Sequence, residues 1–350
     1  MRKTEHNAFD AQVPLVSVCI PAYKHGMYVQ ETLRSILAQD WPRMELVLVD
    51  DGSPDDTFAR ACELKPQFEG RFERVVLETK GNEGTCATFN RLRSLAHGEF
   101  FLLVASDDCL MPGAVRALAA PLLADPAVGV SVGVNEIMDG NGRKCFWDAG
   151  RGIVYDAKDA AYTTFNDEIA SYSGIGSASP RFGAYSELVK FNHVPNGWMV
   201  RKRDLDRIPQ FTRDAPMEDY WMHLQLSKIT RYASVPEHTF RYRWHAANTV
   251  KQERRMRWYE YLTLKWEESY VFSPAGKPWR EAFCAARHRT DVKPILGRLA
   301  YREKTWNLEE CTRKLHIFGI GLTYKHTVLR PEPPQDEPCG QAVRNTERGA

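Results

Sequence analysis

Gly98-Glu-Phe-Phe-Leu-Leu-Val-Ala-Ser-Asp-Asp108 is an apolar, strand-like run that ends on two adjacent aspartates, just before a helix expected to open at Pro112. Burying two carboxylates at the end of a strand is costly unless a positive charge binds there. A divalent metal that holds a diphosphate would supply that charge, because hard oxygen ligands suit Mg²⁺ and Mn²⁺. A second acidic pair, Asp50-Asp51, ends an earlier strand in the same way.

The first 135 residues alternate between predicted strands and helices. The strands are expected at 16–21, 45–49, 72–78, 99–104 and 128–134. Apolar residues at helical spacing lie between them, and after the second strand Ser53 and Pro54 suit the N-cap and first position of a helix. Strands separated by helices of this length imply right-handed crossovers and a mostly parallel sheet. The sequence therefore predicts an α/β fold with helices on both faces of a central sheet.

Later segments follow a less regular pattern, which divides the chain into four expected parts. Gly140-Asn-Gly142 suggests a hairpin, and the stretch 253–272 has the pattern of a long helix. The predicted parts are a ligand-binding half at 14–135, a second half of the same domain at 136–250, a helical C-terminal extension at 251–327, and a disordered tail at 328–350.

Composition excludes several classes of protein. The 350 residues contain 47 Lys and Arg against 45 Asp and Glu, and a net charge of +2 predicts no general affinity for nucleic acid. None of the eight cysteines forms a C-x-x-C pair, which indicates reduced thiols and neither a zinc site nor a disulfide framework. The N-terminus lacks a signal-like apolar region, and no apolar run approaches the roughly 20 residues that span a bilayer. We therefore expect a cytoplasmic protein that is free to touch the inner face of the plasma membrane.

Strand direction predicts where the acidic residues meet. In a parallel sheet the carboxyl ends of all strands share one edge, and ligands bind in the crevice outside that edge. Tyr23, Asp50-Asp51 and Asp107-Asp108 follow the first, second and fourth predicted strands. An aromatic face and two acidic pairs on one rim suit a base, a ribose and a metal-bound diphosphate, so the pattern predicts a nucleotide-sized site.

Three motifs in this order resemble glycosyltransferase family 2. They are Val16-Ser-Val-Cys-Ile-Pro-Ala-Tyr-Lys-His25, Leu46-Val-Leu-Val-Asp-Asp-Gly-Ser-Pro-Asp-Asp-Thr57, and the opening run with its aspartate pair. The resemblance covers roughly residues 14–135 and, more loosely, 195–250. It implies the GT-A fold, a nucleoside-diphosphate sugar as donor, and Mn²⁺ or Mg²⁺ as cofactor.

The resemblance also implies roles for single residues on the donor side. Tyr23 matches the aromatic that lies against the base, and Asp51 matches the acid that accepts a hydrogen bond from it. Asp108 looks like the metal ligand, and Asp107 like a contact to the ribose or to metal-bound water. The remaining residues that we expect to bind the nucleotide sugar are Pro21, Asp50 and Asn82. The chain departs from the common pattern with Lys24 in place of asparagine and with Ser106-Asp107-Asp108 in place of Asp-x-Asp.

The acceptor side needs a base, because inversion requires a hydroxyl that loses its proton as it attacks. Glu218-Asp219, in Asp214-Ala-Pro-Met-Glu-Asp219, resembles the Glu-Asp motif of the family, whose aspartate is the base. We therefore expect Asp219 to act as the base and Glu218 to position the acceptor. His245 matches a histidine common in such enzymes, which would complete the metal shell or contact phosphate.

The resemblance leads to one hypothesis and leaves others open. The chain is expected to be an inverting, metal-dependent glycosyltransferase that moves a sugar, with UDP as the expected carrier, onto a saccharide or lipid-linked saccharide in bacterial surface polysaccharide synthesis. One alternative is a degenerate relative that binds a nucleotide sugar or glycan without turnover. A sugar-phosphate nucleotidyltransferase is disfavoured, since no Gly-rich loop follows the first strand. The basic, aromatic segment from Lys251 predicts either a packed helix or a membrane contact.

Overall fold

The computed structural model describes the backbone of residues 13–295, 298–306, 310–317 and 320–327, and the side chains of residues 13–286. This part of the chain forms two compact units. The first contains residues 13–184, 193–211 and 225–247, and the second contains 185–192, 212–224 and the residues from 248 onward. The predicted disordered tail, 328–350, lies outside the described residues.

A ten-stranded mixed sheet forms the centre of the first unit. Its strands are β1 (Val16–Ala22), β2 (Met44–Asp50), β3 (Arg74–Thr79), β4 (Phe100–Leu103), β5 (Cys109–Leu110), β6 (Val128–Asp139), β7 (Lys144–Trp147), β8 (Ile153–Val154), β9 (Met199–Arg201) and β10 (Arg231–Trp244). They lie in the order β3-β2-β1-β4-β9-β6-β10-β5, and β7 and β8 extend from β6. Strands β1 to β4 are parallel neighbours, as are β6 and β10, whereas β5 and β9 run antiparallel to theirs.

Helices cover the sheet of the first unit and enclose its core. They are α1 (Val29–Leu37), α2 (Thr57–Glu63), α3 (Lys65–Glu69), α4 (Thr85–Leu95), α5 (Ala114–Ala124), α6 (Phe165–Ser173) and α8 (Lys202–Leu205), whereas α7 (Tyr185–Leu188) belongs to the second unit. Strands β1 and β2 are buried along almost their whole length, as expected for parallel strands that are covered on both faces. The main core cluster includes Val18, Ile20, Leu33 and Leu118. This architecture confirms the predicted α/β fold.

The parallel strands bring separate loops to one edge of the sheet. Ala22 pairs with Asp50 at the carboxyl ends of β1 and β2, and the N–H of Asp51 donates to the carbonyl oxygen of Ala22 over 2.9 Å. The predicted boundary at residue 135 falls inside β6, which continues to Asp139 and pairs along its length with β10. The predicted halves therefore share a single sheet.

The second unit contains four helical segments and a separate sheet. It contains α7 (Tyr185–Leu188), the first turns of α9 (Glu218–Leu226), α10 (Glu253–Phe272) and α11 (Lys277–Arg287). Four antiparallel strands follow in chain order: β11 (His288–Ile295), β12 (Arg298–Trp306), β13 (Glu310–Ile317) and β14 (Ile320–Thr327).

The prediction of a helical extension over 251–327 holds for its first part and is wrong for its second. Helices α10 and α11 occupy the part up to Arg287, but strands β11 to β14 form the described residues beyond it. These strands contain many threonines, tyrosines and isoleucines, which favour extended backbone. Over the described residues, the structure contains no helix with both the length and the apolar character needed to cross a membrane.

Candidate functional site

Two histidines and one aspartate meet at the carboxyl edge of the sheet in the first unit. His245 Nε2 lies 3.0 Å from Asp107 Oδ2, and His25 Nε2 lies 3.5 Å from the same oxygen. One ligand atom from each of the three side chains lies within 4.8 Å of the others. We call these three residues the ligand cluster. Its members come from the loop after β1, the turn after β4 and the end of β10.

Hydrogen bonds fix the two imidazoles of the ligand cluster. The Nδ1 atom of His25 lies 2.8 Å from Ser106 Oγ, and the backbone N–H of His25 donates to Thr57 Oγ1. His245 Nδ1 accepts a hydrogen bond from the N–H of Ala247, which leaves Nε2 to face Asp107. Both rings therefore turn the same atom, Nε2, towards one carboxylate. Because His245 Nδ1 accepts a hydrogen bond, its Nε2 carries a proton that a bound metal would have to displace.

The pKa shifts of His25 and Asp107 suit a cation. Burial lowers the pKa of His25, although the nearby Asp107 carboxylate acts in the opposite direction. Burial alone would raise the pKa of Asp107, but the hydrogen bond from His245 and the charge of His25 hold it below its ordinary value. A neutral imidazole and an ionised carboxylate are the forms that coordinate metals.

The donor set fits a divalent metal. Two imidazole nitrogens and one carboxylate oxygen suit Mn²⁺ and related transition metals better than Mg²⁺, which prefers oxygen ligands. Among the described residues, this is the one group of three or more His, Cys, Asp or Glu side chains close enough to share an ion. The side chains present therefore fit the divalent metal expected from the sequence.

The neighbouring Asp108 lies against β10, outside the ligand cluster. Its Oδ1 accepts a hydrogen bond from the backbone N–H of Arg243 over 2.8 Å, and only 1% of the residue is exposed. Burial and the charge of Asp107 raise its pKa well above the ordinary value. Asp108 is therefore outside the group of side chains close enough to share an ion, whereas Asp107 lies beside His245, and the metal role of Asp108 stays a prediction.

Asp51 lies at the same edge, in the loop that follows β2. Its Oδ1 is bonded to Lys80 Nζ and to the N–H of Glu83, and its Oδ2 accepts from the N–H of Gly84 over 2.9 Å. Burial raises the pKa of Asp51, but these hydrogen bonds and the Lys80 charge lower it overall. Asp51 is thus an ionised acceptor held in one orientation.

The other residues predicted to bind the nucleotide sugar differ in exposure. Tyr23 is 38% exposed, with the Lys24 ammonium 4.9 Å from the centre of its ring. Pro21 is half-buried in β1, and Asn82 is exposed. Asp50 is buried and holds its own turn, since it accepts from the N–H of Ser53 and from Thr79 Oγ1. The structure therefore places Asp50 as a support for the loop that carries Asp51.

The Glu218-Asp219 pair begins helix α9 in the second unit. Asp219 Oδ1 accepts from the N–H of Tyr220, and Asn192 Nδ2 lies 3.4 Å from Asp219 Oδ2. Burial and the neighbouring Asp219 raise the pKa of Glu218 to about 8. Burial also raises the pKa of Asp219, although its hydrogen bonds oppose the rise. Both carboxyls therefore hold their protons more tightly than exposed carboxyls do.

Comparisons with known proteins match the part of the chain that forms this edge of the sheet. Residues 17–167, which include β1, β2, β4 and Asp107, match the family model described as Glycosyl transferase family 2. This part of the chain is a family 2 glycosyltransferase domain. The putative teichuronic acid biosynthesis glycosyltransferase TuaG of Bacillus subtilis is 34% identical over 96 residues, which are 27% of this chain and 36% of TuaG. The chain spans about a third of the length of the first curated relatives that it matches.

Solved structures confirm the GT-A fold of the family 2 domain. The mannosyltransferase PcManGT of Pyrobaculum calidifontis, in complex with GDP-Man and Mn²⁺, has a TM-score of 0.55 at 17% identity, and the match covers 79% of this chain and 70% of PcManGT. Residues 1–349 of S. aureus TarS, in complex with UDP-GlcNAc, give a TM-score of 0.51 at 16% identity and cover 77% of this chain and 71% of the TarS chain.

His25 is the member of the ligand cluster that the sequence analysis did not select. It stands three residues after the end of β1, in Tyr23-Lys-His25, inside the first motif of the family 2 domain. The available signal was its position, since the loop after the first strand of a parallel sheet lies beside the loop after the fourth. A histidine at that position is a ligand candidate on topology alone.

Proposed function

We propose that this chain is an inverting glycosyltransferase that moves a sugar from a nucleoside-diphosphate donor to a hydroxyl of a saccharide or lipid-linked saccharide. The observation that carries the proposal is the ligand cluster, which lies on the same sheet edge as Asp51 in a family 2 domain. An ionised acceptor, an exposed aromatic ring and three metal-binding side chains are the groups that a nucleoside diphosphate requires.

The donor half of the proposal assigns a task to each of these groups. Tyr23 offers a ring face to the base, and Asp51 accepts a hydrogen bond from it. His25, Asp107 and His245 would hold a divalent cation, which neutralises the charge of the departing diphosphate. UDP is the nucleotide we expect, and the TarS complex with UDP-GlcNAc supports that choice as an analogy of fold.

The acceptor half depends on the Glu218-Asp219 pair. With a pKa of about 8, Glu218 keeps its proton at neutral pH and can donate a hydrogen bond to the acceptor. Asp219 then remains the member of the pair that removes the proton from the attacking hydroxyl. A raised pKa makes Asp219 a stronger base than an exposed aspartate.

The proposal defines the acceptor only as a class of molecule. The name of the similar TuaG, a putative teichuronic acid biosynthesis glycosyltransferase, favours a bacterial surface polysaccharide as product. Acceptors with free sugar hydroxyls, either soluble or lipid-linked, are therefore the first to test.

The test is a screen of UDP-sugars and GDP-sugars with Mn²⁺, Mg²⁺ or EDTA, in which released nucleoside diphosphate is measured. We expect release with Mn²⁺ that EDTA abolishes. Asp107→Asn should weaken Mn²⁺-dependent donor binding in calorimetry. Asp219→Asn should keep donor binding but reduce kcat by 100-fold or more, because a general base contributes about 10²–10⁴.

Asp40→Asn is the control, because Asp40 is exposed and pairs with Arg116 on the surface. It should retain the activity of the wild type. Donor binding without release of nucleotide under any of these conditions would favour a non-catalytic binding protein. Full turnover in Asp219→Asn would remove that residue from the role of base.

A further inference from the structure

A single buried arginine joins the segments that carry the ligand cluster. Arg243 lies two residues before His245 in β10, and 1% of the residue is exposed. Its Nε donates to the carbonyl oxygen of Asp107 over 2.6 Å, and its Nη2 donates to Glu31 Oε2 over 2.6 Å. A longer contact of 3.4 Å joins Nη1 to the carbonyl oxygen of Gly140. The guanidinium thus binds three different loops or helices of the first unit.

Arg243 also contacts the aromatic ring that supports His245. The guanidinium carbon lies 4.8 Å from the centre of the Tyr28 ring, and the same ring stacks on the His245 imidazole with centroids 4.9 Å apart. A planar cation on an aromatic face is attracted by the quadrupole of the ring. Through these contacts Arg243 acts on both Asp107 and His245 without touching the space between their ligand atoms.

We propose that Arg243 is the positioning residue of the ligand cluster, because its guanidinium holds the main chain of Asp107 and the Tyr28 ring that orients His245. The inference rests on the proposed function in one respect, that the cluster binds a divalent metal. Partners behind the ligands of a metal site typically change its affinity by 10–100-fold when they are lost. Lysine cannot replace the guanidinium, because it is a point charge without a planar fork of donors.

The experiment measures Mn²⁺ binding to the metal-free protein by electron paramagnetic resonance, with MnCl₂ alone and no nucleotide. We expect Arg243→Lys to raise the Kd for Mn²⁺ by 10-fold or more. Arg91→Lys is the matched control, because Arg91 makes a two-pronged pair with Glu78 at the surface, and its Kd should equal that of the wild type.

A second variant keeps the inference testable if Arg243→Lys does not fold. Glu31→Ala removes one partner of the guanidinium, and the Glu31 side chain is 48% exposed, so the fold should tolerate the change. We expect its Kd for Mn²⁺ to rise several-fold. Urea unfolding of both variants separates positioning from stability, since a purely structural arginine would lower the midpoint and leave the Kd of the folded protein unchanged.

The outcomes distinguish this inference from the proposed function. If the wild type binds Mn²⁺ and the folded variants bind it equally well, Arg243 has no positioning role, whereas the metal site stands. If the wild type does not bind Mn²⁺, the metal site of the proposed function is wrong, and the inference is wrong with it. A raised Kd in both variants with an unchanged Arg91→Lys supports the inference.

Discussion

The paired carboxyls at the start of α9 should make the free energy of unfolding depend on pH, and replacing Glu218 should remove this dependence. Burial and the adjacent Asp219 raise the pKa of Glu218 to about 8, whereas in the unfolded chain its pKa is close to the ordinary 4.5. Below pH 4.5 both states bind the proton. Between pH 4.5 and 8 the folded protein keeps a proton that the unfolded chain has released. The free energy of unfolding must therefore fall as the pH rises through this window.

The size of the effect follows from the number of protons. A difference of one bound proton gives a slope of about 1.4 kcal/mol per pH unit, so Glu218 lowers the free energy of unfolding by up to about 2.7 kcal/mol between pH 5.5 and 7.5. This is an upper limit, because the side chain is only partly buried and solvent screens part of its interactions. Above pH 8 both states are ionised, and the contribution becomes constant.

Glu218→Gln should abolish this slope, because glutamine does not titrate. The assay is urea unfolding of the wild type and the variant at pH 5.5, 6.5 and 7.5, followed by tryptophan fluorescence, which Trp221 and Trp266 in the second unit report. Titrating groups that do not interact with Glu218 are common to both proteins and cancel in the difference, whereas Asp219 is coupled to Glu218 and contributes to it. We expect the variant to gain stability relative to the wild type as the pH rises.

The control is Glu253→Gln, which removes an exposed glutamate from the first turn of α10. Its free energy of unfolding should run parallel to that of the wild type across the three pH values. If Glu218→Gln also runs parallel to the wild type, the proton is not held at this position. The assignment of Glu218 as the protonated member of the pair would then be wrong.

Two further predictions test the donor edge. Asp108→Asn should leave the Kd for Mn²⁺ within about 3-fold of the wild type, since an amide oxygen can still accept from the Arg243 N–H. If Mn²⁺ titrations show that Asp108→Asn loses as much affinity as Asp107→Asn, Asp108 is a metal ligand after all. Gly52→Ala should raise the donor KM several-fold and destabilise the protein by about 1–3 kcal/mol, because φ at residue 52 is +70° and an added Cβ would lie 2.9 Å from the carbonyl oxygen of Lys80. Unchanged steady-state kinetics would separate this turn from donor binding.

The bounds of the first two strands could be predicted to within one residue because their sequence pattern is typical of one structure, a buried parallel strand. The predicted strand at 16–21 is found as Val16–Ala22, and that at 45–49 as Met44–Asp50. Both are short, continuous apolar runs bounded by turn residues, as parallel strands covered on both faces require. The shared edge follows from their direction alone, so the sequence was sufficient to bring Asp51 and Asp107 to the same side of the sheet.

Helix α2 shows how a side-chain contact can override a local preference. Ser53 and Pro54 predicted a helix from that point, but α2 begins at Thr57. The N–H of Ser53 donates to the Asp50 carboxylate, which keeps these residues in a turn, and Asp55 accepts from the N–H of Thr57. A capping residue forms its hydrogen bonds wherever an acceptor lies close, and this acceptor belongs to the preceding strand.

The difference between Asp107 and Asp108 could not be derived from sequence for a related reason. Within a strand, neighbouring side chains point to opposite faces, but this rule ends with β4 at Leu103. Beyond that point the direction of each carboxylate is set by its partner: the Arg243 N–H takes Asp108, and His245 faces Asp107. Both partners lie more than 130 residues away in the chain. A motif can therefore propose two adjacent acids as ligand candidates, but the strand that returns beside them decides which of the two faces His245.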